Sequence, residues 1–335
     1  MVKLAINGFG RIGRNAFKIA FDRNDTEIVA INDLTDAKTL AHLLKYDSSY
    51  GIYACEVDYD DENIIVDGQK IRVYSEKNPA DLPWGELGVD VVIESTGLFT
   101  NPEDARAHIT AGAKKVVISA PAKGDGAKTI VLGVNEDEVT VDDEILSNAS
   151  CTTNCIAPVM KVLEDNIGIE KAMMTTVHSY TASQKLQDAP AKDIREARAA
   201  AENIVPTTTG ASKAAAKTIP SLQGKFNGLS VRVPTPVVSL ADITAVTKRP
   251  TTVEEINEIF RKAASEDYYK GILAATDEEL VSIDYRGNSN SAIVDLPLTD
   301  VVDSNLIKVV AWYDNEWGYS NRLVELSVDF GKMGK

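Results

Sequence analysis

Cysteine and histidine are scarce in this chain, with three residues of each among 335. Three cysteines make no disulfide framework, which suits a reducing cytoplasm. Cys151 and Cys155 stand four apart on one helix face, yet so few thiols and imidazoles give no metal-ligand spacing, and no metal is expected. Long apolar runs are missing too. None approaches membrane-span length, and Met1-Val2-Lys3-Leu4-Ala5-Ile6 is too short and too soon interrupted for a signal peptide, so no membrane partner is expected. Repeats, low-complexity tracts and linker-like stretches are absent. Basic residues are outnumbered 35 to 50, and the net charge of −15 disfavours nucleic acid and anionic membranes as partners. A small phosphorylated ligand is not disfavoured, because a site can be locally basic in an acidic protein.

What is present points to a folded enzyme-sized chain. Its length exceeds one ordinary core and fits two domains. The first part alternates strand and helix. Residues 2–6, 27–31, 89–93 and 115–119 read as strands, and residues 12–21, 34–44 and 102–111 as helices. Residues 64–73 read as a hairpin turning at Asp67-Gly68. Such alternation makes an α/β domain with a parallel sheet and helices on both faces. After Cys151 the strands lengthen (172–180, 229–233, 237–247) with few helices between them, as expected of an α+β domain with a mixed or antiparallel sheet. The boundaries follow: residues 1–150 as a first domain, completed by a C-terminal helix within 316–335 that packs back on it, and 151–315 as a second. A long charged stretch, 183–206, lies inside the second, and its middle, 193–203, has room for a helical turn.

Three motifs carry chemistry. Ser150-Cys151-Thr152-Thr153-Asn154 closes an apolar strand-like stretch and opens a helix. A cysteine at a helix N-terminus meets unpaired N–H groups and the positive end of the dipole, which favour a thiolate nucleophile; a buried structural cysteine is the plainer alternative. Gly8-Phe9-Gly10-Arg11-Ile12-Gly13 follows a strand directly and opens a helix, and Asp33 stands at the end of the next strand. Together they form a Rossmann-type dinucleotide fingerprint. The glycines admit the pyrophosphate, and Asp33 accepts from the adenosine ribose and repels a 2′-phosphate, favouring NAD. His178 alternates with Met174 and Thr176 on one strand face. It is either a satisfied structural histidine or the base for Cys151, and His42 and His108 are weaker candidates.

Five segments in order resemble the phosphorylating glyceraldehyde-3-phosphate dehydrogenases. They are Ile6 to Arg14, Ser147 to Asn154, His178-Ser179-Tyr180-Thr181, Arg232-Val233-Pro234-Thr235-Pro236 and Trp312 to Tyr319. The resemblance implies that Cys151 adds to the aldehyde to give a thiohemiacetal and then a thioester, with His178 as base. It implies glycolytic oxidation of glyceraldehyde 3-phosphate by NAD, with inorganic phosphate releasing the acyl phosphate. It places Thr181 and Arg232 at the substrate phosphate, with Ser150, Thr152, Thr209 and Gly210 around the inorganic one and Arg195 adding charge nearby. Thr207 to Gly210 would otherwise read as a turn before a helix. On the cofactor side it places Gly8, Gly10, Arg11 and Ile12 at the pyrophosphate, Asp33 at the ribose, Lys77 near the adenine, Ser119 near the nicotinamide and Asn315 at the carboxamide. Lys77 and Ser119 would otherwise read as a surface residue and a strand-end hydroxyl. The family is tetrameric and its long loop lies at a subunit interface, so a cytoplasmic homotetramer is expected.

Two departures bear on selectivity. Ala189-Pro190 stands where NAD-strict relatives often carry Leu-Pro, leaving room for some use of NADP, and Glu196 replaces a second arginine. The alternatives are an erythrose-4-phosphate dehydrogenase, a non-catalytic nucleotide-binding protein, and a redox sensor acting through Cys151.

Overall fold

The computed structural model describes residues 1–334; Lys335, the last residue of the expected closing segment, lies outside the described residues. The chain forms two compact units. One gathers Met1–Ile130, Asp137–Ala149 and the chain from Ser320 onward, and the other holds Val131–Glu136 and Ser150–Tyr319.

The first unit is built around the strand Val2–Asn7, in which only Lys3 is not fully buried. A strand covered on both faces belongs in the middle of a parallel sheet. Thr26–Asn32 lies beside it on one side and Val91–Glu94 on the other, both parallel. Gln69–Tyr74 continues the first side in parallel, followed antiparallel by Asn63–Val66 and Val57–Tyr59. Lys115–Ile118, Ile145–Ser147 and Lys128–Thr129 continue the other. The expected hairpin is present, and Asp67 and Gly68 both take positive φ, 46° and 79°, as the tight Asp-Gly turn requires. The chain reverses its direction of travel across the sheet at Val2–Asn7, so a crevice opens between the C-terminal ends of that strand and Val91–Glu94.

The glycine turn fits into this crevice for steric reasons. Gly8 has φ +90°, and a Cβ there would lie 2.7 Å from Thr96 N. A Cβ on Gly13 would lie 2.1 Å from the Gly8 carbonyl oxygen. The helix Arg11–Phe21 can therefore start directly against the turn. Two helix expectations shift. The second helix runs over Ala37–Lys45, because the Asp36 carboxylate caps it by accepting from Thr39 N. The segment expected as one helix is two short ones, Pro102–Ala105 and Ala107–Thr110.

The second unit is a mixed eight-stranded sheet. Its spatial order is Val205–Thr208, Phe226–Val233, Ile169–Ser179, Ser239–Thr247, Leu306–Tyr313, Ala292–Asp295 and Leu273–Thr276, with Asp300–Val302 pairing on Leu306–Tyr313. Ile169–Ser179 runs parallel to Phe226–Val233 in a register that sets His178 beside Arg232. The helix Val253–Ser265 was not expected. Thr252 caps it by accepting from Glu255 N, the Thr-x-x-Glu pattern of a helix start. Residues 193–203 carry turns and no helix.

Replacing Gly13 by alanine is expected to destabilise the protein by at least about 2 kcal/mol, measured by denaturant unfolding, because the new methyl meets backbone. An unchanged midpoint would contradict this packing.

Candidate active site

The strand Ile145–Ser147 ends just before Ala149, which takes the left-handed conformation with φ 55°. Ser150 is extended, and its hydroxyl caps the helix Cys151–Asn166 by accepting from Thr153 N at 3.1 Å. The turn thus sets Cys151 on the first position of a sixteen-residue helix, where N–H groups lack carbonyl partners. Cys151 keeps intermediate exposure, whereas Cys155, one turn on, is buried and its thiol is pushed well above its ordinary range by that burial.

Cys151 Sγ lies 3.5 Å from His178 Nε2. His178 Nδ1 lies 2.7 Å from the Ser179 carbonyl oxygen. A carbonyl only accepts and favours a proton on Nδ1, whereas the Arg232 guanidinium beside the same nitrogen only donates, so the two partners make opposite demands on Nδ1. Arg232 reaches the same edge of the ring, with Nη1 2.5 Å from Nδ1. Burial first, and the Arg232 charge second, hold His178 down to about 3 and so neutral. Burial raises the Cys151 thiol, while Arg232 and the Thr152 side chain and backbone N–H pull it down. Because Cys151 is not closed off from solvent, its desolvation is partial. A thiol within reach of an imidazole nitrogen has the arrangement of an acid–base couple for a thiol nucleophile.

Two groups fix this geometry: Tyr313, which sequence reasoning missed, and Asn315, which the resemblance placed at the carboxamide. The Tyr313 hydroxyl sits 2.9 Å from Thr152 Oγ1 and 2.8 Å from Thr176 Oγ1, and its ring meets His178 edge-on at 6.0 Å. The Thr152 hydroxyl is thereby tied to Tyr313 as well as to the Cys151 thiol. Asn315 Oδ1 accepts from Ser179 Oγ at 3.0 Å and Ser239 Oγ at 3.1 Å, so its amide donors are turned free of that pair. Ser239 follows Val238, a branched residue held at φ 72°, which is strained backbone beside a working group. No sequence signal marks Val238. Tyr313 and Asn315, however, flank Asp314, whose carboxylate accepts from Gly287, Glu316 and Trp317 N–H groups and so anchors that segment.

The expected phosphate ligands are placed as follows. Thr181 and Arg232 are half-buried, and Thr181 Oγ1 is 3.0 Å from Ser183 Oγ. Thr209 accepts from Ala211 N at 3.2 Å, opening the helix Ala211–Thr218 beside exposed Gly210. Arg195 is exposed, and Glu196 accepts from the Thr207 hydroxyl. The long loop is tied to itself by an Arg198–Asp188 ion pair and by the Ala189 N–H on the Ala197 carbonyl.

In the first unit, Gly8, Gly10, Asp33 and Lys77 line a cavity of about 500 Å³ together with Asn7, Asn32, Ser95, Thr96 and Phe99. A Cβ on Gly10 would meet nothing within 4 Å, so the helix start at Arg11 and Ile12 is open to an anion. Asp33 accepts from Phe9 N at 2.8 Å and Thr35 N at 3.0 Å, which orients the carboxylate at the cavity. The Arg11 guanidinium donates to Asp47 at 2.8 Å. Ser119 is half-buried at the end of Lys115–Ile118, and its N–H donates to the Glu94 carbonyl. The turn, open helix start and carboxylate fit a dinucleotide.

A dinucleotide cradle in one unit and a helix-start thiol beside an imidazole in the other fit a nucleotide-dependent dehydrogenase. Comparison with known proteins agrees. Residues 2–102 match the glyceraldehyde 3-phosphate dehydrogenase NAD binding domain, and residues 150–315 match the C-terminal domain of the same family. Curated glyceraldehyde-3-phosphate dehydrogenases of Geobacillus stearothermophilus and Streptomyces coelicolor are 55% and 54% identical to this chain, each over 99% of both chains. One from Bacillus subtilis is 54% identical over the same share. The chain belongs to the glyceraldehyde-3-phosphate dehydrogenase family.

Replacing His178 by asparagine removes the proton acceptor and leaves burial as the largest influence on the thiol. Alkylation of Cys151 by iodoacetamide near neutral pH is expected to slow by roughly tenfold or more and to recover as pH rises. An unchanged rate would mean that His178 does not act on Cys151.

Proposed function

We propose that this protein oxidises D-glyceraldehyde 3-phosphate with NAD and inorganic phosphate to 1,3-bisphosphoglycerate and NADH, as a step of glycolysis. The observation that carries the reading is the 3.5 Å contact from Cys151 Sγ to His178 Nε2, with Arg232 against the same ring. The relatives carry the name of the three-carbon reaction, and the erythrose 4-phosphate alternative is not favoured.

Cys151 is the nucleophile. Its sulfur bonds to the aldehyde carbon as its proton passes to His178 Nε2, and the oxygen of the adduct is received by the N–H groups of the helix start. Thr181 and Arg232 bind the substrate phosphate. That phosphate offsets the arginine charge that adds to burial in keeping His178 neutral, so the base strengthens as the substrate seats. NAD, when bound, supplies the hydride acceptor that turns the thiohemiacetal into a thioester. A phosphate oxygen then attacks the thioester carbon, the C–S bond breaks, and the sulfur leaves as a thiolate that takes its proton back from His178. The attacking phosphate is held by Ser150, the Thr152 N–H, Thr209 and Gly210.

Gly8, Gly10, Arg11 and Ile12 hold the pyrophosphate through backbone and helix start, Asp33 the ribose and Lys77 the adenine end. Ser119 serves the nicotinamide half. Asn315 binds the carboxamide, a role supported by the two serine hydroxyls that fix its oxygen. We assign residues 1–150 with the C-terminal helix to the cofactor and 151–315 to catalysis. The working form is a homotetramer in the cytoplasm. Support comes from the exposed Leu186, Ile194 and Ile204 of the long loop and from three free thiols.

The test is the rate of NAD reduction with and without inorganic phosphate. Sustained turnover only with phosphate is expected, with a burst of about one NADH per site without it. Equal steady rates in both conditions would contradict phosphorolysis.

A further inference from the structure

Beneath the cofactor cavity lies a buried chain of polar side chains that the chemistry above does not use. His108 and Trp84 are wholly buried and Glu94 nearly so. The Trp84 indole N–H can only donate, and it lies 3.0 Å from His108 Nδ1. Nδ1 must then accept, which puts the His108 proton on Nε2, 3.1 Å from Glu94 Oε2. The same Oε2 accepts from Asn7 Nδ2 at 2.6 Å. Glu94 Oε1 accepts from the Thr96 N–H at 2.8 Å and the Thr96 hydroxyl at 2.5 Å. Asn7 Oδ1 in turn accepts from Asn32 Nδ2 at 2.7 Å, and Asn32 Oδ1 accepts from Glu76 N at 2.8 Å.

The chain of bonds joins the C-terminal ends of neighbouring strands, because Asn7 is in register with Asn32 on one side and Glu94 on the other. Its free ends are cavity-lining groups: Asn7, Asn32, Glu76 and Thr96 all border the cofactor cavity. The Thr96 turn is anchored by both donors of Thr96, which go to one carboxylate. It also packs on the glycine turn, where a Cβ on Gly8 would lie 2.7 Å from Thr96 N. Ser95 Oγ fastens the two by donating to the Gly8 carbonyl oxygen at 2.7 Å. A carboxylate receiving four donors holds them in one geometry.

We propose that His108 and Glu94 are positioning residues for NAD: with Trp84 fixing the imidazole tautomer, they hold the Thr96 turn against the glycine turn in the form that receives the dinucleotide. The proposal rests on the reading that the cavity binds NAD. It concerns cofactor affinity alone, since none of these groups reaches Cys151 or His178 through the bonds described.

The test uses the full-length protein and three variants, with NAD and ADP-ribose as ligands in calorimetry alongside steady-state kinetics. His108→Leu is expected to raise the KM for NAD and the Kd for ADP-ribose roughly tenfold, with kcat and the aldehyde KM within about twofold. His108→Gln can accept from the indole and donate to Glu94, so it is expected to stay within about twofold of the parent. Trp84→Phe removes only the tautomer-fixing donor, and a rise of about threefold is expected; it decides the matter if His108→Leu does not fold. Unchanged NAD affinity in His108→Leu and Trp84→Phe would overturn the proposal. So would a glutamine variant as impaired as the leucine one, which would mean that His108 merely fills space. Failure of the unaltered protein to bind NAD would overturn the functional reading itself, a result separate from any difference among variants.

Discussion

The contact between Cys151 and His178 depends on two pieces of backbone that have little else in common. One is a left-handed alanine and an extended serine that turn the chain from strand to helix, so that the thiol stands at the first helical position. The other is the parallel register that sets His178 beside Arg232. Burial opposes charge on both partners, raising the thiol and lowering the imidazole. The helix-start N–H groups and Arg232 favour the thiolate, and the Ser179 carbonyl favours a proton on Nδ1. Arg232 adds to burial in lowering the imidazole, so a group that offsets its charge favours proton transfer across the pair.

The supporting groups follow the same logic of interior hydroxyls and fixed amides. Tyr313 is buried against Thr152 and Thr176, and its own hydroxyl is held in the neutral form by that burial. Asn315 has its oxygen committed to two serines. In the first unit a carboxylate, an imidazole and two asparagines do for the glycine turn what these groups do for the thiol. In each case a flexible or strained turn is made definite by side chains whose partners are already set.

Much of this is legible in the sequence where function is written in contiguous residues. The strand–glycine–helix run with Asp33, the Ser-Cys helix start and the hairpin at Asp67-Gly68 all declare themselves through local backbone demands. The change in texture after Cys151 marks the second sheet in the same way. What is not legible comes from residues brought together across strands. Ser179, Ser239 and Asn315 are ordinary polar residues until the sheet pairs them. His108 sits in a short helix with no nucleophile near it in sequence, so only the folded strand ends give it a role. Val238 carries no sign of its positive φ. The helix Val253–Ser265 is signalled by Thr252 and Glu255, a local cue set among segments of strand texture. In the long loop the room for a helical turn is taken by i to i+3 turns at 194–198, and its charges pair across the loop, Arg198 with Asp188.

The most direct measurement is mass spectrometry of the intact protein, followed by peptide mapping, after mixing with glyceraldehyde 3-phosphate and NAD while inorganic phosphate is withheld. The expected result is one phosphoglyceroyl group per chain, carried on Cys151, lost on adding phosphate and absent from a Cys151→Ser variant. An acyl group on another residue, or turnover with no protein-bound acyl group under these conditions, would contradict the thioester route.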